Sequence, residues 1–260
     1  MVDGASLADE VGSTTWYHTL ELPGGVVTDG YFDLRGLPKK VLPDDLTGKR
    51  CLDACTSSGF WAFEMEKRNA KEVVAIDIED YRDKDWQIES AAPAMTEIQR
   101  DSFSIAKRAL GAQVQKRDLS VYDVSPEQIA EFDFVFIGAV LIHLRDPVRA
   151  LRALRTVLRP GGELRSLDVI LLMSSVLHPR TPRGQLYSGD DTRWWTPNAA
   201  AHRRWLVAAG FDVSERPRLV FERFGPLVDK ESARAPSLRA RLAVSAYRRI
   251  GVPCQLLVCR

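Results

Sequence analysis

At 260 residues, with 45% hydrophobic and 27% charged side chains, the chain has the make-up of a globular protein able to bury a sizeable core. A formal net charge of +1 supplies no global field toward nucleic acid or an anionic membrane. The N-terminus lacks the basic start and apolar core of a signal peptide, and apolar stretches such as 134–142 are too short to span a bilayer. A cytoplasmic protein is expected, with Cys51, Cys55, Cys254 and Cys259 as reduced thiols. Their spacings suit zinc in principle, but both pairs fall in runs that read as buried strands or strand ends, so no metal is expected.

From Arg50 onward strand-like and helix-like segments alternate, which predicts a parallel sheet covered on both faces. A first strand is predicted over 50–55, running into a helix over 57–70, and the apolar run 72–78 reads as a second strand. A helix over 102–111 closes at Gly111, and a strand follows within 112–118. Ser125-Pro126-Glu127-Gln128 has the composition of a capping box at a helix start. The run 132–140 is the next buried strand, and Asp146-Pro147 opens an amphipathic helix through Leu158, stopped by 159–162. Residues 163–172 are a fifth strand. Asn198 caps a helix that ends at Gly210, 211–215 continues into a sixth strand, and 252–259 is the last.

Segment 173–197, rich in Pro, Gly, Ser and charge, reads as a loop over the substrate side. Segment 216–250 reads as an insertion between the last two strands. Within it, 230–249 carries Lys230, Arg234, Arg239, Arg241, Arg248 and Arg249 against Glu231 alone. A solvated amphipathic helix is the first reading of that stretch, and an interaction surface the second.

Ligands of open α/β sheets bind at the carboxyl ends of the strands, near the switch in strand order. The first strand ends in Asp53-Ala54-Cys55-Thr56-Ser57-Ser58-Gly59-Phe60, where small residues allow a tight turn. Asp77, at the end of the second strand, is placed to bond ribose hydroxyls, and Asp118, after the third, to reach an adenine amine. An acid after each of three consecutive strands is a nucleoside-binding pattern, with three acids in solvated loops as the alternative.

The pattern LD-x-x-T-x-x-GFW-x-FE-x-E…VVAIDI…FDFVF-x-G-x-L-x-HLRDP…L-x-PGGEL resembles the core of the class I S-adenosylmethionine (SAM)-dependent methyltransferases across roughly 48–215. More specifically, WYH-x-x-x-L-x-x-G-x-x-T-x-G in 16–30 and WWTPN in 194–198 resemble the group of the tRNA wobble-uridine carboxymethyltransferases and their relatives thought to act on small molecules and sugars. The resemblance implies a Rossmann-like, doubly wound, mostly parallel seven-stranded sheet in three α/β/α layers. It implies a lid or cap over 1–47 and a methyltransferase-like domain over 48–260. It also implies a cofactor site of Asp53, Cys55, Ser57, Gly59, Asp77, Ile78, Asp118, Leu119 and Gly138, with 137–140 on the methionine side and Trp16 and Tyr17 in the lid. The family turn is D-x-G-x-G-x-G, and here Cys55 and Ser57 replace its first two glycines. The positions that bind the extra carboxylate of the wobble-uridine cofactor correspond to Ile142 and Cys254, neither able to pair with it. Plain SAM is therefore the expected cofactor.

Among the four histidines, His143 at the end of the fourth strand is the first candidate base and His18 the second. Each has a structural alternative: orienting a loop, and fastening the lid. Tyr187, Asp190, Trp194 and Trp195 suit a sugar or alicyclic substrate, or else anchor their loop. Three functions remain in view. The first is SAM-dependent methyl transfer to a small molecule, a sugar or secondary metabolite, at oxygen. The second is a methyltransferase fold turned to other chemistry or partner binding, and the third is tRNA modification. Near-zero net charge counts against the last.

Overall fold

Strand residues that are apolar at every position must be covered on both faces, and that is how the central strands are built. The computed structural model describes residues 4–80, 85, 102–187, 192–228 and 250–260; Asp190 and the basic stretch 230–249 lie outside them. In chain order the elements begin with α1 (Gly4–Gly12), β1 (Trp16–His18), β2 (Glu21–Leu22), β3 (Val26–Val27), β4 (Gly30–Asp33) and α2 (Pro38–Val41). The alternating core follows: β5 (Arg50–Ala54), α3 (Phe60–Glu66), β6 (Glu72–Asp77), α4 (Ser102–Leu110), β7 (Gln115–Asp118), α5 (Pro126–Ile129) and β8 (Phe132–Gly138). Next are α6 (Pro147–Thr156), β9 (Leu158–Val169), α7 (Leu172–Leu177), β10 (Gly184–Leu186), β11 (Trp195–Pro197), α8 (Ala199–Ala208), β12 (Arg218–Phe224) and β13 (Val252–Cys259).

Nine strands form one sheet in the order β1-β4-β12-β13-β9-β8-β5-β6-β7. The five from β9 to β7 run parallel, and β13 and β12 join antiparallel. The seven-stranded, doubly wound expectation holds for β12 through β7, and the two extra strands come from the N-terminal segment. Alternation sorts the core: Cys51, Val73, Ala75, Phe134 and Phe136 pack with α1, α3 and α4, while Leu52, Val74, Ile76, Val135 and Ile137 pack with α6 and α8. These are the three layers. No helix among the described residues is long and apolar enough to cross a membrane.

Several boundaries differ from expectation. Residues 211–215 are not a strand: Phe211 and Val213 are buried against the α6/α8 layer, and Val213 makes only an isolated bridge to Cys259. The sixth strand is β12, which lies inside the segment expected as an insertion. The helix after the first strand is shorter than 57–70, because the turn occupies 55–59. Residues 159–162 belong to β9, so the helix opened at Asp146 ends earlier than they would stop it, at Thr156, and 173–197 holds most of α7 and the β10–β11 hairpin. Ser125 starts only one turn of helix and its side chain makes no cap, whereas Asp146 and Asn198 cap α6 and α8 as expected, accepting from Arg149 N at 2.9 Å and Ala201 N at 2.9 Å.

Three marked positions of the N-terminal motif show why it folds as it does. Trp16 is fully buried and donates Nε1–H to Val11 O at 3.0 Å, so it anchors β1 to α1 and does not line the cavity described below. Thr28 Oγ1 accepts from Leu20 N at 2.8 Å and donates to His18 O at 2.9 Å, closing the loop between β1 and β4. Gly30 lets β4 touch β1: a Cβ there would sit 2.3 Å from His18 C and Thr19 N. The segment is thereby built into the sheet edge, sharing the core of α3 and α4.

Candidate functional site

The turn after β5 is the centre of the site. Residues 55, 57 and 59, the three glycine positions of the expected motif, all have left-handed backbone, with φ of 63° at Cys55, 49° at Ser57 and 89° at Gly59. Two L-residues thus hold a conformation that costs each of them about 1–2 kcal/mol. Surrounding bonds impose it. Asp53, 1% exposed, accepts from Thr56 Oγ1 at 2.6 Å and from Ala62 N, at the start of α3, at 3.1 Å. Asp77 Oδ2 accepts from Ser57 N at 2.7 Å, and Thr56 N donates to Ile76 O at 3.0 Å. Gly59 does not line the cavity, and a Cβ on it would lie 2.5 Å from the Phe63 ring.

This turn opens on a cavity of about 500 Å³ at the carboxyl ends of the strands, within the size range of small-molecule sites. Asp53, Cys55, Ser57, Asp77, Ile78, Leu119 and Gly138 line it, together with Tyr17, His18 and His143. Asp118 does not: it is exposed and accepts from Glu79 N at 3.0 Å, holding the β6 and β7 ends together. Trp194, Trp195 and Tyr187 are also outside the lining. Trp194 donates to Asp85 O, Trp195 Nε1 donates to Arg145 O at 3.2 Å, and Tyr187 N donates to Trp194 O at 3.0 Å. They fasten the loops around the mouth, the anchoring alternative, while their neighbours Thr192 and Arg193 face the cavity.

The two histidines differ in chemistry. His143 Nδ1 lies 3.0 Å from Thr192 O; a carbonyl only accepts, so Nδ1 carries the proton and Nε2 keeps the lone pair of the neutral ring. His18 is 5% exposed, and burial pushes its pKa down to about 3. Ser58 Oγ accepts from His18 N at 3.1 Å and sits 3.0 Å from His18 Nδ1, so the lid strand is pinned to the turn. An imidazole so hard to protonate is a weak proton acceptor, and His18 fits the fastening role better than the catalytic one.

The far end of the cavity holds residues the sequence reading does not single out. Phe32 on β4 stacks on Phe224 of β12 at 5.6 Å, Tyr17 lies 5.5 Å from Phe32, and Val169, Val252 and Glu222 complete the wall. Glu222 is 3% exposed. From β12 to β5 there are four inter-strand steps, about 19 Å along the sheet. The cavity therefore extends well past the nucleoside end. Among the described residues, no group of three or more His, Cys, Asp or Glu side chains is arranged to hold a metal ion.

Burial raises three carboxyls: Asp53 and Asp168 to about 7, and Glu222 to about 8. It lowers His18 to about 3 and His202 to about 4. Above the ordinary histidine value both rings are neutral folded or unfolded and contribute no slope. The acids hold protons folded that they lose unfolded, so stability falls as pH rises from about 6.5 to 8, by about 1 kcal/mol or more per pH unit. Urea unfolding at the two ends of that window checks this; a flat or rising stability would contradict it.

Comparison with known proteins agrees with this architecture. A family model described as a methyltransferase domain matches residues 31–216. The tRNA U34 carboxymethyltransferase of Idiomarina loihiensis is 30% identical over 182 residues, covering 68% of this chain and 50% of that protein. The chain thus spans about half the length of such relatives. Among solved structures, the [4+2]-cyclase SpnF superposes with a TM-score of 0.62 at 18% identity, covering 98% of this chain and 92% of that one. The N-terminal domain of EvdMO1, solved in the presence of S-adenosylhomocysteine (SAH) and D-fucose, gives 0.59 at 14% identity, over 100% and 97%. With its turn, sheet order and matched residues, the chain belongs to the methyltransferase-domain family, class I.

Proposed function

We propose that the protein is a SAM-dependent methyltransferase acting in the cytoplasm on an oxygen of a small molecule. The turn 53–59 carries this reading, because all three glycine positions keep left-handed backbone, at Cys55 and Ser57 as much as at Gly59, and the turn faces one cavity with Asp77. The residues fit the cofactor. Asp77 would take the ribose hydroxyls, Ile78 and Leu119 the adenine faces, the backbone of 55–57 the homocysteine part, and Gly138 the methionine side. Bound there, the cofactor supplies a sulfonium methyl open to in-line attack. His143 takes the acceptor's proton at Nε2, His18 and Ser58 hold the N-terminal cap of 1–47 over the 48–260 domain, and the aromatic far wall excludes water.

Plain SAM suits the cavity better than its carboxylated form. Ile142, at the position of a carboxylate-binding tyrosine in the resembled group, lines the cavity, and Cys254, at the position of an arginine, lies under the buried acid Glu222. The named tRNA relatives motivate wobble-uridine modification as a second reading, and the side chains at 55 and 57 motivate one in which the fold serves other chemistry or a partner. Calorimetry with SAM and carboxy-SAM, beside a tRNA gel shift at two salt concentrations, separates them. The expected result is SAM at least about tenfold tighter, with no salt-dependent shift. Preference for carboxy-SAM with a salt-weakened tRNA complex would select the tRNA reading, and no binding of either cofactor the repurposed fold.

A further inference from the structure

Glu222 is a buried carboxyl on an aromatic wall that methyl transfer as described does not use. The registers Glu222↔Val252 and Val220↔Cys254 place Glu222 and Cys254 diagonally on one face of the sheet, so the carboxyl faces the Cys254 thiol on one side and the cavity on the other. It is 97% covered yet lines the cavity beside Phe224, Phe32 and Val252. Among the described lining residues Arg193 is the one Lys or Arg; it lies on the segment paired with Ile142 and His143, with its guanidinium over the Tyr187 ring. A buried carboxyl held by a thiol, a weak donor, is retained at a cost unless a ligand supplies a stronger one. Burial, and then the nearby Asp168, favour its neutral form, against the opposing hydrogen bond from the Cys254 thiol.

We propose that Glu222 selects the acceptor: the far end of the cavity takes an apolar, ring-bearing molecule whose N–H or O–H donor binds the Glu222 carboxyl, and it rejects one bearing a carboxylate there. This rests on the methyltransferase reading for the word acceptor, but the binding preference stands apart from it. The ring of such a ligand fills the space between Phe32, Phe224 and Tyr17, where aromatic stacking adds to burial. An ammonium leaves Glu222 ionised and paired, with the displaced proton going to solvent. A hydroxyl hydrogen-bonds the carboxyl in either form. A carboxylate meets Glu222 and the field of Asp168, and among the described residues no Lys or Arg contributes to the electrostatics at Glu222.

The test uses three probes of one shape, 2-phenylethylamine, 2-phenylethanol and phenylacetate, titrated into the full chain with and without saturating SAH and followed by ligand-observed NMR. The amine and the alcohol are expected to bind at least about tenfold tighter than phenylacetate. In Glu222→Gln, checked for cooperative unfolding, the preference for the amine over phenylacetate is expected to shrink at least about fivefold. Phenylacetate binding as tightly as the amine, an unchanged order in the variant, or no binding of any probe at about 10 mM would overturn the proposal. The wild-type order alone decides should the variant fail to fold. Failure of SAH to bind, with the order of probes intact, would overturn the cofactor reading and leave the role of Glu222 standing.

Discussion

Gly30→Ala is expected to cost about 3 kcal/mol or more. The new Cβ would lie 2.3 Å from the His18 carbonyl carbon and the Thr19 nitrogen, backbone atoms that no rotamer change can move aside. Gly30 also meets Gly225 from the other side, where a Cβ on Gly225 would lie 2.2 Å from Gly30 O, so the strand cannot escape toward β12. The strain falls on the β1–β4 contact, which carries Tyr17, His18 and Phe32 into the cavity, so cofactor affinity should drop with stability. Gly36→Ala, with nothing within 4 Å of the added carbon, is the control. Urea unfolding of both variants checks the argument; a Gly30→Ala protein within about 0.5 kcal/mol of wild type would refute it.

Asp77→Ala is expected to weaken SAH binding about 100-fold or more. Two effects combine: loss of charged hydrogen bonds to ribose hydroxyls, each worth about 1.5–3 kcal/mol, and release of the turn. The turn effect is visible in the structure, because Asp77 Oδ2 accepts from Ser57 N at 2.7 Å and so helps impose the left-handed backbone there. Asp77→Asn keeps an acceptor for Ser57 N while removing the charge, and should fall between wild type and alanine. Equal affinity in all three proteins would show that the cofactor is not held by this carboxylate.

The central strands were legible because β5, β6 and β8 are buried on both faces and carry adjacent apolar residues at 51–52, 73–76 and 134–137. Asp53, Asp77, Ile78, Leu119 and His143, which line the cavity, were legible because they follow β5, β6, β7 and β8, and Tyr17 and His18 through the N-terminal motif. The left-handed turn was not visible in Cys55 and Ser57 themselves, since it is imposed by Asp53, Asp77 and Ile76 O from outside. Residues 211–215 misled because Phe211 and Val213 are buried as a strand's would be, yet in a loop against α8. The true strand β12 was hidden by its charges. In Arg218 to Phe224 the inward set is Val220, Glu222 and Phe224, and an inward glutamate breaks the alternation that marks a strand. The same residue is therefore missed both as strand and as site. Trp194 and Trp195 sit outside the cavity lining, with their indole N–H groups on backbone carbonyls.

Calorimetric titration of the purified protein with SAH tests most directly the claim that a left-handed turn built with Cys55 and Ser57 still forms the cofactor cradle. The account predicts one site with micromolar affinity, on the order of −8 kcal/mol. Absence of binding at millimolar SAH would contradict it.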